Sequence, residues 1–186
     1  MIFNEENTVE DYIKDLLESK HKWKFVSQKD LKRQDNDVLV ENSLRDALIR
    51  LNPEIKENPE LVEEVLYKLR AIIISAKGTG LVKTNEEFSK WIRNQKTMPF
   101  GENGEHTTIN LIDFDNIDNN EFIVTTQYSY VNKRPDLVLL VNGLPLIIGE
   151  AKTPVRPSVT WVDGAKDMAA YQEVAPQLFV PNLFCF

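Results

Sequence analysis

RPDLVLLVNGLPLIIGEAKTP, residues 134–154, holds two apolar runs, Leu137–Val141 and Leu144–Ile148, separated by Asn142-Gly143. Each run has strand length, and Asn-Gly between apolar runs is a strong short-range hairpin signal. Neither run alternates with polar residues, so both strands expect cover on both faces. The stretch therefore predicts a hairpin of two buried strands, in a sheet covered by other elements on both faces.

The ends of this hairpin are chemically different from its middle. Asp136 opens the first strand, while Glu150 and Lys152 lie two residues apart near the end of the second. Strand alternation puts Glu150 and Lys152 on one side, with Gly149 and Ala151 on the other. The phase between the strands then decides whether Asp136 joins them. A plain two-residue loop pairs Val141 with Leu144 and sets Asp136 opposite Gly149, leaving Glu150 on the far surface. A three-residue loop over Asn142–Leu144, or a local bulge, sets Asp136 opposite Glu150 instead.

In the second phase two carboxylates suit Mg²⁺, a hard cation that favours oxygen ligands and retains waters. The Ala151 carbonyl, between the two functional side chains, is a further candidate ligand. Such an ion suits phosphodiester hydrolysis, with Lys152 orienting or helping to deprotonate a water, or stabilising developing negative charge. An ordinary charged strand end has the same E-x-K spacing. Nucleophilic triads have less support, because His21 and His106 are the only histidines and neither sits in a matching motif.

Outward from the hairpin, Val9, Ile13, Leu16 and Leu17 have helical spacing, and HKWKFVSQ suggests a short strand or a packed loop. A second helix is expected from about Leu39 to Leu51, ended by Asn52-Pro53. A third is expected after an Asn58 cap with Pro59 in its first turn, carrying Leu61, Val65, Leu69 and Ile72 and closing at Gly78 and Gly80. Thr84 and Glu87 have capping-box spacing before a shorter helix with Phe88, Trp91 and Ile92. Residues 98–108 read as a polar, glycine-containing loop, and INLIDF from Ile109 as strand-like. Phe122–Tyr130 alternates as a strand with one aromatic face. A helix is expected from Asp163 to Pro176, and LFVPNLFCF supplies a last strand. Trp91 and Trp161 are expected to anchor packing.

Composition narrows the class. With 186 residues, 42% of them hydrophobic, the chain can bury a core without metal clips or disulfides. Its single cysteine, Cys185, excludes disulfide frameworks and thiolate zinc clusters within the chain. No apolar run reaches membrane-spanning length, and the acidic MIFNEENTVEDY is unlike a secretion signal, so a cytoplasmic protein is expected. The net charge of −7 argues against a generic nucleic-acid coat. Gly101–Tyr130 carries six acidic residues and no Lys or Arg, whereas Lys133, Arg134, Lys152 and Arg156 cluster within Lys133–Arg156. A polyanion would approach the second stretch.

At these residues the chain resembles the PD-(D/E)xK nucleases, and more closely the N-terminal nuclease domain of the restriction (motor) subunit of type I restriction-modification enzymes. Pro135-Asp136 matches the PD and Glu150-Ala151-Lys152 the ExK. ENSLRDALIRLNP, LIDFDNIDNNEFIVTTQYSY and PQLFVPNLF extend the likeness over most of the chain from Glu41 onward. The resemblance implies a restriction-endonuclease-like α/β core: a mixed, mostly antiparallel sheet flanked by helices, with an N-terminal helical extension. Residues 1–186 would form one nuclease domain, mainly helical over 1–80 and sheet-containing over 81–186, at the front of a longer motor subunit. It further implies Mg²⁺-dependent cleavage of double-stranded DNA, with Mn²⁺ as a surrogate ion. ATP-driven translocation would be supplied downstream, since no GxxxxGK[ST] loop occurs here, and the partners would be methylation and specificity subunits.

Residue by residue, the resemblance gives Asp136, Glu150 and Lys152 catalytic roles, with Asp136, Glu150 and Ala151 at the metal. Lys133, Arg134 and Arg156 become candidate DNA contacts. The family often carries Q-x-x-x-Y on the following helix; Tyr171 matches its tyrosine, but Asp167 stands in place of the glutamine and has no amide to donate. Gly149 replaces a bulky aliphatic residue. Many members also bring a glutamate from an early helix to the metal, for which Glu10 and Glu41 are candidates. A non-catalytic DNA-binding or assembly module, or a stand-alone defence or repair nuclease, are the alternatives.

Overall fold

The computed structural model describes residues 9–152 and 160–186. Among these residues, six α-helices and seven strands follow in the order α1 (Asp11–His21), β1 (Lys24–Phe25), α2 (Glu41–Leu51), α3 (Pro53–Glu57), α4 (Leu61–Thr79), α5 (Leu81–Ile92), β2 (Thr97–Met98), β3 (Thr107–Thr108), β4 (Phe122–Thr126), β5 (Leu137–Val141), β6 (Leu144–Gly149), α6 (Trp161–Val174) and β7 (Phe184–Cys185). The main sheet has the order β1-β4-β5-β6-β7, and β2 and β3 form a separate small ribbon. The long ladders, β4–β5 and β5–β6, are antiparallel, while the short outer strands β1 and β7 add in parallel. This is the mixed α/β architecture expected from the sequence. Among the described residues, no helix is long and apolar enough to cross a membrane.

β5 is buried along its whole length, as its unbroken apolar run requires. On one face of the sheet, Val124, Leu137 and Leu139 pack with Ile13 and Leu17 of α1. On the other, Val138, Leu140 and Ile148 join the larger core, which includes Leu44 and Leu48 of α2, Val65 and Leu69 of α4, Phe88 of α5 and Met168 of α6. The hairpin is thus the middle layer between helices, and residues at its open end are held by packing on both sides.

Several local expectations change. Pro53 does end α2, yet it also occupies the first turn of α3, where its missing N–H costs nothing. Asn58 closes α3 through its backbone N–H to the Glu54 carbonyl, rather than capping α4 with its side chain. Gly78 lies inside α4; Gly80, at φ 94°, is its true end and starts α5. Thr84 therefore sits within α5, bonding back to the Gly80 carbonyl at 2.9 Å, and Glu87 pairs with Lys96 at 2.6 Å. INLIDF is irregular: Asn52 and Asn94 bond the backbone at Asn110 and Leu111 in place of a ladder. The strand expected to reach Tyr130 stops at Thr126, and LFVPNLFCF begins in the 3₁₀ turn over Pro176–Phe179, runs on irregularly and forms only the two-residue β7.

Candidate active site

The hairpin resolves the phase question with a bulge. Asn142 (φ 51°) and Gly143 (φ 79°) make a two-residue turn with both centres left-handed. Val141 faces Leu144 and Leu140 faces Pro145, but Leu139 faces Ile147, so Leu146 is the extra residue. From there Val138 faces Ile148 and Leu137 faces Gly149, and the next step brings Asp136 level with Glu150. The loop is the short one, and the three-residue loop is not formed. Leu146 moves every later residue of β6 to the other face.

Glu150 and Lys152 leave the end of β6 together. Lys152 Nζ lies 3.0 Å from Glu150 Oε1 and 2.7 Å from Asp167 Oδ2 of α6. A Thr160–Asp163 capping box fixes the start of α6. Gly164 faces Lys152, where an added Cβ would meet the lysine Cγ at 3.5 Å, an ordinary contact. Asp167 and Tyr171 follow at helical spacing on the same side. Asp167, where the resemblance expects glutamine, is an acceptor that holds the lysine.

Asp136 is held from both neighbouring strands. The Ala151 N–H donates to Asp136 Oδ2 at 2.8 Å, and the Gln127 side-chain amide donates to Oδ1 at 3.1 Å. The same Gln127 amide donates to Oε1 and Oε2 of Glu10, at 3.1 and 3.0 Å. Glu10 is only 3% exposed and stands at the entry to α1, so the early-helix glutamate that joins the site is Glu10. Glu41 is instead engaged by Arg70 of α4, whose Nε is 2.6 Å from Oε1.

The electrostatics separate these groups. Burial raises the Glu150 carboxyl above the usual glutamate range, the Asp136 charge adds to this, and Lys152 opposes it. Burial by itself would lower the Lys152 ammonium, but its bonds to Asp167 and Glu150 outweigh that and hold it well above its ordinary value. Lys152 in this arrangement is a cationic donor shared between two carboxylates. Burial, and then the charges of Glu150, Asp136 and Asp167, push the Tyr171 phenol up to about 12. Tyr171 is therefore a neutral hydroxyl at physiological pH. It approaches Glu150, yet Glu150 Oε2 is buried without a well-formed hydrogen bond.

That orphaned oxygen bears on a cation. Among the described residues, no group of three or more His, Cys, Asp or Glu is set to hold a metal by itself. Mg²⁺ does not demand such a cage, since it is commonly bound by one or two carboxylates, waters and substrate phosphate. Asp136 and Glu150, with a buried oxygen that lacks a well-formed hydrogen bond, fit that ion; the Ala151 carbonyl remains a candidate.

The other sequence candidates fall at different distances from this centre. Lys133 Nζ sits 5.2 Å from the Tyr171 ring centroid, a cation–π contact that brings it to the rim. Arg134 is exposed just ahead of the buried Pro135, and Arg156 lies outside the described residues. Trp91 is buried as expected. Trp161, 81% exposed, is not a packing anchor but lines a cavity of about 670 Å³ beside Glu150 and Lys152. The Phe186 ring covers Gly149, where an added Cβ would come within 2.4 Å of Cζ, so the lost aliphatic side chain is replaced by an aromatic one from elsewhere in the chain. Gln127 was not singled out from the sequence, because TTQYSY reads as plain strand alternation.

Comparison with known proteins gives the family. Residues 2–186 match the family described as type I restriction enzyme R protein N terminus. A Methanocaldococcus jannaschii protein named as the type I restriction enzyme MjaIXP endonuclease subunit is 36% identical over 149 residues, covering 74% of this chain and 14% of that protein. The type I restriction enzyme HindI endonuclease subunit of Haemophilus influenzae is 28% identical over 192 aligned positions, covering 95% of this chain and 18% of that protein. The chain thus spans less than a fifth of the length of these relatives. With a family match over nearly its whole length, the chain belongs to the family of type I restriction enzyme R protein N-terminal regions.

Proposed function

We propose that this chain is the DNA-cleaving domain of a type I restriction enzyme and hydrolyses phosphodiester bonds with Mg²⁺. The observation that carries this reading is the Leu146 bulge, which brings Asp136 to the same level and face as Glu150, next to Lys152. Asp136, Glu150 and the Ala151 carbonyl would hold the ion. Bound there, Mg²⁺ would supply Lewis-acid polarisation of the phosphate and a more acidic water.

The chain's own groups divide the remaining work. Ala151 N–H and Gln127 keep the Asp136 carboxylate in one orientation. Lys152, held by Asp167, presents an ammonium to an incoming phosphate or to the attacking water. Tyr171, kept neutral, offers a hydroxyl donor beside Glu150. Lys133 and Arg134 would meet backbone phosphates, which position DNA without reading its sequence. Recognition and methylation would lie in partner subunits, ATP-driven translocation in other parts of the R subunit, and the enzyme would work in the cytoplasm.

The test is cleavage and ATP hydrolysis by the assembled enzyme carrying Asp136→Ala or Glu150→Ala. Cleavage is expected to fall by about 10²-fold or more, with ATP hydrolysis largely retained. Undiminished cleavage would refute this centre, and loss of ATP hydrolysis as well would assign these residues to subunit structure.

A further inference from the structure

We propose that Gln127 is a positioning residue: its side-chain amide clips the Asp136 carboxylate to the buried Glu10 carboxylate and keeps both aimed at the cation without cancelling their charge. This rests on the metal-dependent reading above and adds a residue and a role to it.

The first observation is the backbone. Gln127 follows β4 directly and has φ 57°, a left-handed conformation that glycine and asparagine adopt far more readily than glutamine. The Gln127 N–H nevertheless donates to the Asp136 carbonyl at 2.9 Å, so the main chains of the two strands stay tied across the twist. A strained position occupied by a residue poorly suited to it points to a use for the side chain.

The second observation is what the side chain does. One NH₂ group has two hydrogens, and here Nε2 reaches Asp136 Oδ1 at 3.1 Å and both oxygens of Glu10 at 3.1 and 3.0 Å. One hydrogen serves Asp136, and the other is shared by the Glu10 carboxylate. With Ala151 N–H on Oδ2, Asp136 is gripped from β4 on one side and from the end of β6 on the other. The amide also docks the entry of α1, from the far end of the sequence, onto the site.

The third is the chemistry of the choice. A lysine or arginine at position 127 would bind the same carboxylates more strongly, but would neutralise charge that a divalent cation needs. A neutral amide gathers two carboxylates and adds no positive charge of its own. Groups that orient metal ligands in this way commonly change metal affinity by about 10- to 100-fold when removed.

The experiment compares the 186-residue chain with Gln127→Gly, Gln127→Asn, Gln127→Lys and Asp136→Ala variants, each with a short DNA duplex. Free Mn²⁺ is followed by electron paramagnetic resonance, and the thermal midpoint is measured alongside. Gln127→Gly relieves the left-handed backbone but takes the amide from the buried Glu10, so its midpoint is read to show that the variant is folded, while its Mn²⁺ affinity is expected to fall about 10-fold or more. Gln127→Asn also tolerates the backbone but is one methylene short, and the same loss is expected. Gln127→Lys keeps the donors and is expected to lose binding through charge. Retention of affinity within about twofold in the Gly variant, or in the Lys variant, would overturn the proposal and leave Gln127 a turn residue. Wild-type binding that Asp136→Ala does not reduce would overturn the metal reading itself, and this proposal with it. The two failures are therefore separate.

Discussion

At its turn end, the β5–β6 hairpin buries Asn142 completely and satisfies it completely. Its side-chain oxygen accepts from Glu121 N–H at 2.8 Å and from Arg50 at 3.2 Å, while its nitrogen donates to the Leu111 carbonyl and to Asn120 Oδ1, each at 2.8 Å. At its open end the same ladder buries Glu150 to 8% side-chain exposure and leaves Oε2 without a well-formed bond. Both ends carry buried polar groups on the same strands, but only one is saturated. A buried polar atom without a partner costs about 1–3 kcal/mol. The fold tolerates that cost at the carboxylate end and avoids it at the turn, which is the division expected between a site kept open for a ligand and a joint that only holds structure.

The largest effect should come from breaking the joint. Gly143 has φ 79°, and a Cβ there would lie 2.3 Å from the Val40 carbonyl oxygen and 3.0 Å from Leu44 N. Backbone atoms at the start of α2 cannot swing aside as a side chain would. Gly143→Val is expected to cost about 3 kcal/mol or more, seen as a collapse of the thermal midpoint. A midpoint close to wild type would show that the α2–turn contact is soft and that the comparison of the two ends is misplaced.

At the open end the same logic predicts the opposite sign. Burial raises Glu150 in the folded chain, so ionising it opposes folding. Stability linked to this group is present at low pH, where it is protonated in both states, and is lost as pH rises through its folded range. Glu150→Gln should therefore raise the thermal midpoint of the metal-free chain at neutral pH. The gain should shrink as the pH falls towards about 4, the ordinary glutamate range. In the assembled enzyme the same variant should lose cleavage. A variant less stable than wild type at neutral pH would mean that the Lys152 pairing outweighs burial.

How far these two ends could be read in advance follows from what each leaves in the sequence. Asn142-Gly143 announces its turn because few residue pairs adopt two left-handed conformations in succession. The Leu146 bulge leaves no such mark. Its cause lies in register, and the unbroken apolar runs LVLLV and LPLII have no alternation from which a phase could be read. Asp136, Glu150 and Lys152 were legible as chemistry, but their meeting was not. Gln127 was hidden for a related reason, since a glutamine gives no sign of a left-handed backbone and its neighbours alternate as a strand would. Proline misled differently at Pro53, where the residue that stops α2 also starts α3. INLIDF failed as a strand because asparagine side chains at positions 52 and 94 occupy backbone groups that a ladder would have used.

A smaller effect distinguishes two early glutamates that the sequence leaves equivalent. Glu10 is buried and shares the Gln127 amide with Asp136, whereas Glu41 is engaged with Arg70 at a half-exposed pair. Glu10→Gln is expected to lower Mn²⁺ affinity by about 10-fold. Glu41→Gln should leave that affinity unchanged and cost no more than about 1 kcal/mol of stability, as for other exposed ion pairs. Equal effects on metal binding would erase the distinction between them.

The smallest effect is expected at Asp167, which stands where the resemblance expects glutamine. Lys152 has a second carboxylate partner in Glu150 at 3.0 Å, and the Asp167 side chain is 47% exposed, so solvent screens much of its charge. What Asp167 gives Lys152 at 2.7 Å is an acceptor oxygen, and the oxygen of an amide also accepts. Asp167→Asn removes the charge and keeps that bond, and Asp167→Gln reaches for it with one more methylene. Both should change cleavage by the assembled enzyme by less than about tenfold and stability by less than about 1 kcal/mol, while Lys152→Ala should abolish cleavage. If Asp167→Asn proves as damaging as Lys152→Ala, the charge at 167 acts on the substrate or the cation as well as on the lysine. The open end of the hairpin would then be built around three carboxylates from β5, β6 and α6, with Lys152 set among them.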